Sequence, residues 1–186
     1  INSEKNNPGE GNVGAGAGAT VGKYLGVERM MKSGLGTYAV TLGDVKIGAI
    51  VAVNALGDVL DVDSGKTLAG ILAEDGKSLD STLRIMEEEI GKARNVFSGN
   101  TTIGCIITNG KLNKDQANKM AQIAHNGFAK TISPVHTSAD GDTIFVMSTG
   151  EIDVNVDALS AISAQVMAKA VNRAVIMAEP AFGLKA

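Results

Sequence analysis

One apolar run, "IGAIVAV", constrains the fold more than any other segment. From Ile47 to Val53 the residues are apolar at both odd and even positions, whereas a strand with one solvent-facing side would alternate. Gly43 and Asp44 separate this run from an alternating segment at 36–42, which is a typical hairpin signal. The pattern therefore predicts a central strand, covered on both faces, beside an antiparallel partner.

The rest of the chain mixes strand-like and helix-like segments within the length of one domain, 186 residues. Periodicity predicts four strands, at 36–42, 45–59, 101–108 and 142–149, and four helices, at 21–31, 78–95, 114–129 and 156–178. Residues 1–19 and 60–78 are rich in Gly, Asp, Asn and Ser and are predicted to be loops. This order of elements favours a layered α/β or α+β domain.

Composition argues against several classes of function. A formal net charge of −3 offers no basic surface for phosphates, so we expect no nucleic-acid partner. No apolar run reaches the ~18 to 20 residues that span a bilayer, and we expect no membrane partner. The single cysteine, Cys105, suits a reducing compartment, so we expect a cytoplasmic protein. The polar start without Met, "INSEKNNPGEGN", leads us to expect a fragment or a processed product.

The glycine-rich stretch "GAGAGATVGK" resembles a phosphate-binding loop but fails the test of spacing. A Walker motif ending at Lys23 requires Gly where the chain has Ala17, and Ser or Thr where it has Tyr24. The dinucleotide fingerprint fails as well, because no strand precedes Gly14 and Gly16. We expect no nucleotide cofactor, and interpret the glycines as sites of close backbone approach or of turns.

Polar residues stand at positions where the surrounding pattern does not require them. Lys23 closes the glycine run, Asn54 interrupts an apolar strand, Thr101 opens a strand, and Asp140 and Asp142 flank a glycine before another strand. Each has an ordinary explanation, as a solvated lysine, a turn residue or a strand residue. Together they would supply the parts of an N-terminal-nucleophile hydrolase. If the chain is cut before Thr101, that residue has a hydroxyl nucleophile and an α-amine that can act as its base. The other residues would supply an oxyanion donor and carboxylates that orient the amine and the hydroxyl.

Histidine chemistry is less well supported by the sequence. The chain has only two histidines, His125 within a predicted helix and His136 in a loop, and the lone Cys105 lies in a predicted strand. Neither a zinc site nor a Cys–His pair follows from this set, so we expect no metal. His136 could still line a pocket.

Four separated blocks, in the same order, resemble the DmpA family: "GNVGAGAGATVGK", "GAIVAVNALGDVLD", "NTTIGCIITN" and "PVHTSADGDTIFVMSTGE". This family contains self-processing L-aminopeptidase/D-esterases and is related to β-peptidyl aminopeptidases and nylon-oligomer hydrolases. The resemblance covers about residues 10 to 183. It implies an αββα sandwich, to which a segment preceding this chain would also contribute.

The resemblance also implies that a precursor is cut between Asn100 and Thr101. Residues 1–100 would then belong to the first segment and 101–186 to the second, and the two would form one domain. Family members are usually tetramers of the cut heterodimer, so a homo-oligomer is expected.

By position in these blocks, the resemblance assigns a role to each polar residue. Thr101 is the nucleophile, Asp140 and Asp142 match the two polar residues paired with it, and Asn54 matches the asparagine on the oxyanion side. Lys23 matches the active-site lysine of the nylon-hydrolase branch. Residues 72–97 correspond to a variable region before the cut.

These observations predict an autoproteolytically activated amide hydrolase that needs no cofactor. It would release N-terminal residues from short peptides, amides or esters through an acyl-enzyme on threonine. Thr102 is the rival nucleophile, and the family's pattern favours Thr101. Two alternatives stay open: an acyltransferase of the ornithine acetyltransferase type, and a non-catalytic module that retains the fold.

Overall fold

The computed structural model describes residues 9–92 and 99–186, and these residues form nine strands and three α-helices. The strands are β1 (Thr20–Val21), β2 (Met31–Lys32), β3 (Leu35–Leu42), β4 (Val45–Ala52), β5 (Asp58–Leu60), β6 (Thr67–Ala69), β7 (Ile103–Gly110), β8 (Ile132–Ser133) and β9 (Thr143–Ile152). The helices are α1 (Thr82–Glu88), α2 (Lys114–Thr131) and α3 (Val156–Ile176). The predicted mixed α+β class is confirmed.

The main sheet has four strands in the order β3-β4-β7-β9. The Gly43–Asp44 turn joins β3 to β4 as an antiparallel hairpin, as predicted, and β4 pairs antiparallel with β7. Strands β7 and β9 are parallel, and α2 lies in the connection between them, as a parallel crossover requires. The C-terminal end of β4 therefore lies beside the N-terminal ends of β7 and β9.

Helices α2 and α3 pack together over one face of this sheet and form the main core with it. Asn113 begins α2 with a capping box that includes Gln116, and Asn155 caps α3. The helices end within two residues of the predicted boundaries. Small residues in α3 allow close packing, since a Cβ added to Gly36 of β3 would lie 2.0 Å from the carbonyl oxygen of Ala170.

The opposite face of the sheet is more exposed to solvent in the described residues than the face that α2 and α3 cover. Strand β4 is central, as predicted, but its buried residues alternate, at Ile47, Ala49 and Val51. The expectation of a strand covered on both faces is therefore wrong for the described residues. Large apolar side chains on the main sheet are partly exposed, at Tyr38, Ile103, Ile107, Phe145 and Met147.

The predicted helix at 21–31 is wrong. The segment instead forms β1 and β2, which pair antiparallel with a turn between them. Gly22 and Gly26 both have left-handed φ angles, of 68° and 95°, which a helix does not tolerate. Gly22 also packs so closely on Gly70 that a Cβ would lie 2.2 Å from the Gly70 carbonyl carbon.

Three other segments differ from the prediction by more than a shift of two or three residues at their ends. The run at 45–59 is interrupted after Ala52 and resumes as β5, which joins β6 and β8 in a second, three-stranded sheet. Strand β6 lies inside the predicted loop at 60–78. The predicted helix at 78–95 shortens to α1, and its last residues, 93–95, lie outside the described residues.

None of the helices in the described parts of the chain is long and apolar enough to cross a membrane.

A partly exposed ion pair between Glu10 and Arg173 connects the first described residues to β3 and to α3. Glu10 Oε1 accepts hydrogen bonds from Thr37 N and Thr37 Oγ1, each at 2.9 Å, and from Arg173 Nε at 2.8 Å. Arg173 Nη2 bonds the second carboxylate oxygen. These bonds, above all the one from Arg173, lower the pKa of Glu10 to about 2.

This depressed pKa predicts how stability depends on pH. Because the folded pKa lies below the ordinary carboxyl value, the stabilisation is present above about pH 4.5 and is lost as the pH falls toward 2. We expect Glu10→Gln to lower the free energy of unfolding by about 1 to 2 kcal/mol at pH 7, allowing for solvent screening. Urea unfolding at pH 7 and pH 3 measures this, and the deficit should shrink at pH 3. An equal deficit at both pH values would contradict the assignment.

Candidate active site

The strand topology brings together the chain segments that carry the predicted residues. Asn54 follows the C-terminal end of β4, Thr101 precedes β7, and Asp140 and Asp142 precede β9. Because β4 is antiparallel to β7 and β7 is parallel to β9, these segments meet at one edge of the sheet. Lys23 reaches the same place because its backbone N–H donates to the carbonyl oxygen of Leu56 at 2.9 Å.

The Asn100 carbonyl, at the predicted cleavage site, lies between a hydroxyl and a backbone N–H. Thr101 Oγ1 donates to the Asn100 oxygen at 2.6 Å, and Gly141 N donates to the same oxygen at 2.8 Å. Asn100 and Asp140 also form a parallel bridge, which continues the β7–β9 pairing past the ends of both strands. The hydroxyl therefore lies next to the bond it would attack, and the carbonyl oxygen already has a fixed donor.

Gly141 is the residue in this site that the sequence did not identify as functional. It appeared there only as the turn between two aspartates, and its role as a donor depends on tertiary pairing. A Cβ added to Gly141 would lie 2.9 Å from Thr101 Oγ1. The absence of a side chain therefore allows the loop before β9 to approach the hydroxyl closely.

Asn54 links the glycine-rich segment to the residues around the predicted cut. Its Oδ1 accepts from Lys23 Nζ at 2.7 Å and from Thr20 N at 3.2 Å. Its Nδ2 donates to the Gly99 carbonyl at 3.0 Å, so in this structure the side-chain amide contacts the carbonyl one residue before Asn100. Its backbone oxygen accepts from Thr101 N at 2.9 Å.

Lys23 is buried, with 2% of its surface exposed. Its ammonium group donates to both Oδ1 and the backbone oxygen of Asn54, the latter at 3.2 Å. Burial lowers the pKa of Lys23 to about 8, and the negative charge of Asp140 opposes that shift. A lysine with this pKa is neutral often enough near neutral pH to accept a proton.

The two aspartates have different partners. Asp140 Oδ2 accepts from Thr137 N at 2.9 Å and from Thr137 Oγ1 at 2.7 Å, so it fixes its own loop. Asp142 Oδ1 accepts from Thr102 N at 2.9 Å. Within the described residues, neither carboxylate hydrogen-bonds Thr101 Oγ1. Asp142 thus holds the backbone immediately after the hydroxyl instead of the hydroxyl itself.

The neighbouring threonines differ in accessibility. Thr101 is half-buried, whereas Thr102 is fully buried and its hydroxyl has no hydrogen-bond partner among the described residues. Substrate could reach the first hydroxyl more readily than the second. This difference follows from strand alternation at the start of β7.

The other predicted features lie around this site or away from it. The glycine run contains a short 3₁₀ turn at Gly14–Gly16, and a Cβ on Gly16 would lie 2.2 Å from Leu35 N, so the backbones are in close contact there. No three His, Cys, Asp or Glu residues in the described ranges cluster in a way that could hold a metal ion. A cleft of about 410 Å³ beside Lys46 and Glu151 contains none of the predicted site residues.

Comparison with known proteins gives relatives in one family. The chain is 34% identical over 181 residues to a 6-aminohexanoate-oligomer endohydrolase of Kocuria sp. (strain KY2), covering 88% of this chain and 51% of that protein. It is 34% identical over 151 residues to an uncharacterized aminopeptidase of Mycobacterium leprae, covering 80% of this chain and 39% of the relative. The chain thus spans about half the length, or less, of these relatives.

Solved structures show the same fold at lower identity. The L-aminopeptidase D-Ala-esterase/amidase from Ochrobactrum anthropi, described as a variant of the Ntn hydrolase fold, superposes with a TM-score of 0.61 at 20% identity, over 91% of this chain and 45% of that one. A β-aminopeptidase from Burkholderia sp. gives a TM-score of 0.57 at 22% identity, over 91% and 47%. The model of Peptidase family S58 matches residues 2–186. The resemblance to the DmpA family is thereby confirmed, and the chain belongs to Peptidase family S58.

Proposed function

We propose that this chain carries the nucleophile of an amide hydrolase that cuts itself between Asn100 and Thr101 and then hydrolyses short peptides, amides or esters. The observation that carries the proposal is the contact of Thr101 Oγ1 with the Asn100 carbonyl, whose oxygen also accepts from Gly141 N. Relatives named as an aminopeptidase and as an oligomer endohydrolase support amide bonds as the substrate class.

Self-cleavage would begin when Thr101 Oγ1 attacks the Asn100 carbonyl carbon. The C–N bond to Thr101 breaks, an ester to Oγ1 forms, and the Thr101 nitrogen takes a proton to become an amine. Water then hydrolyses the ester, leaving a carboxylate on Asn100 and a free hydroxyl and amine on Thr101. The fixed position of the hydroxyl replaces the diffusional encounter of two reactants.

Lys23 is the candidate base for this first reaction. Before the cut, the Thr101 nitrogen is an amide and cannot accept the hydroxyl proton, so another group must do so. The buried Lys23, with its pKa lowered to about 8, binds the same Asn54 carbonyl oxygen as Thr101 N. We propose that Lys23 takes the hydroxyl proton directly or through one water molecule.

The oxyanion that forms on Asn100 would be stabilised by Gly141 N–H, at 2.8 Å from the carbonyl oxygen. One such donor is typically worth about 2.7 to 4 kcal/mol of transition-state stabilisation. Asn54 Nδ2, which donates to Gly99 O in the intact chain, would be released by the cut and could then donate to the carbonyl oxygen of a substrate.

Turnover would use the new N-terminus. An α-amine has an ordinary pKa of about 7.7 to 8.0 and can take the hydroxyl proton as Thr101 attacks a substrate amide. The substrate acyl group is transferred to Oγ1, the amine product leaves with the proton, and water releases the acid. Asp142, through Thr102 N, holds the backbone of the nucleophile, and Asp140 holds the loop that carries Gly141. As the resemblance implies, we propose that the working protein is a homo-oligomer of cut chains.

The identity of the nucleophile is tested by replacing each threonine in the full-length protein. We expect Thr101→Ala to leave the chain uncut and to abolish hydrolysis of aminoacyl amide and ester probes, because the neighbouring hydroxyl, that of Thr102, is buried. Thr102→Val removes a buried hydroxyl and puts a side chain of similar size in its place, so this variant should still cut itself. Denaturing gels and probe hydrolysis measure both effects. Cleavage and turnover by Thr101→Ala would refute the proposal.

The close approach of Gly141 gives a second prediction. Alanine at this position adds a Cβ 2.9 Å from Thr101 Oγ1, which must then move. The φ angle of Gly141 is not left-handed, so alanine fits the backbone itself. We expect Gly141→Ala to fold normally but to cut roughly a hundredfold more slowly.

Gly91→Ala is the matched control, because Gly91 also lacks a left-handed φ and a Cβ there would meet no atom within 4 Å. The rate of precursor loss after cell-free synthesis measures both variants. Equal rates for Gly141→Ala and wild type would show that the position of the hydroxyl is not critical.

The pKa of Lys23 predicts the pH dependence of self-cleavage. Burial lowers the pKa to about 8, so the neutral base becomes more abundant as the pH rises toward 8, and the rate should rise and then level off. We expect Lys23→Met to lose this inflection and to cut roughly a hundredfold more slowly. The rate of precursor conversion between pH 6 and pH 9 measures it. An unchanged profile in Lys23→Met would rule out lysine as the base.

A further inference from the structure

Asp142 is a buried carboxylate whose two oxygens have different neighbours. Its side chain is 3% exposed. Oδ1 accepts from Thr102 N at 2.9 Å, and Oδ2 lies 2.9 Å from His136 Nδ1. Oδ2 has no hydrogen bond of good geometry among the described residues. A buried carboxylate oxygen needs a donor or a positive charge beside it, and His136 Nδ1 is the group placed to supply one.

The Thr102–Asp142 bond continues the pairing of β7 and β9 beyond the ends of the strands. Thr143 N donates to Thr102 O at 3.0 Å, and Gly141 N donates to Asn100 O at 2.8 Å. The Asp142 carboxylate accepts the Thr102 N–H that lies between these two bonds. Since Asp142 directly follows Gly141, any shift of its side chain would disturb both the Thr101 backbone and the donor to the Asn100 carbonyl.

His136 is held by packing and by its backbone. Its φ angle is 56°, in the left-handed region that residues other than Gly adopt uncommonly, although His adopts it more often than most. Its ring packs edge to face on His125 of α2, with centroids 4.9 Å apart, and lies 6.2 Å from the ring of Phe128. Such an unusual conformation, kept by its surroundings, is typical of functional sites.

We propose that His136 is a positioning residue for the cleavage and hydrolysis reactions. This inference rests on the proposed function, and His136 acts by fixing Asp142, which in turn fixes the backbone of Thr101 and Gly141. The imidazole does not touch the reacting atoms. Its Nδ1 lies 2.9 Å from Asp142 Oδ2 and is the ring atom through which it acts.

The surroundings of the imidazole agree with this role. Burial lowers the pKa of His125, the nearby His136 lowers it further, and the charge of Asp142 opposes both effects. His125 therefore packs on His136 as a neutral ring and does not compete for the Asp142 carboxylate. Among the described residues, the titratable groups in contact with His136 are Asp142, from the loop before β9, and His125, from α2.

The test compares His136→Ala with His136→Asn in the full-length protein. Asparagine retains an N–H donor at nearly the position of Nδ1 and tolerates left-handed φ angles. We expect His136→Ala to slow self-cleavage and to lower kcat roughly tenfold to a hundredfold with KM little changed, because a small misplacement of reacting groups can have an effect of this size. His136→Asn should recover most of both rates.

Two further variants separate positioning from packing. His125→Ala removes one of the two rings packed on His136 but leaves the Phe128 ring and the contact with Asp142, so it should lower kcat less than His136→Ala does. In a background that carries Asp142→Asn, His136→Ala should add little further loss, because the two residues act as one unit. Equal losses in His125→Ala and His136→Ala, or fully additive losses with Asp142→Asn, would overturn the inference.

Failure of this inference can be told apart from failure of the proposed function. If Thr101→Ala is inert while His136→Ala cuts and turns over like wild type, His136 has no positioning role and the proposed function stands. If Thr101→Ala itself cuts and hydrolyses, the proposed function fails, and this inference fails with it.

Discussion

The backbone carbonyl of Asn54 is the contact on which the site depends. Its oxygen accepts from Thr101 N at 2.9 Å and from Lys23 Nζ at 3.2 Å. These two bonds hold the start of β7 and the end of the glycine-rich segment against the end of β4. The lysine is buried in this position, and its burial lowers its pKa. Position and reactivity therefore have the same structural origin, a strand end that accepts hydrogen bonds from two distant parts of the chain.

The sheet that carries this site has two unlike faces. Helices α2 and α3 cover one face, whereas Ile107, Phe145 and Met147 remain largely exposed within the described residues. Apolar surface of this kind is uncommon on a free sheet face, and in an αββα sandwich a second sheet packs on it. The solved structures that share the fold are about twice as long as this chain.

Local patterns predicted the elements that periodicity and turn chemistry determine. The β3–β4 hairpin follows from alternation and the Gly43–Asp44 turn, and the extents of α2 and α3 follow from apolar spacing. The false helix at 21–31 shows the limit of this approach. Its composition allowed a helix, but Gly22 and Gly26 adopt left-handed φ angles and Gly22 packs closely on Gly70, so the segment forms two short strands instead.

The site was predictable only in part, for a physical reason. Lys23, Asn54 and Thr101 stood out because each is a polar residue in a context that does not require one, and the resemblance to a family ordered them. The donor role of Gly141 N and the link from His136 to Asp142 depend on the register of β7 against β9. No local pattern encodes that register.

The central claim is that the chain is built to break the bond between Asn100 and Thr101. Intact-mass measurement of the purified full-length protein under denaturing conditions tests it most directly. The account predicts two species, one of which begins with Thr-Thr-Ile-Gly. A single uncut species that persists after days at pH 8, in a protein shown to be folded, would contradict the account.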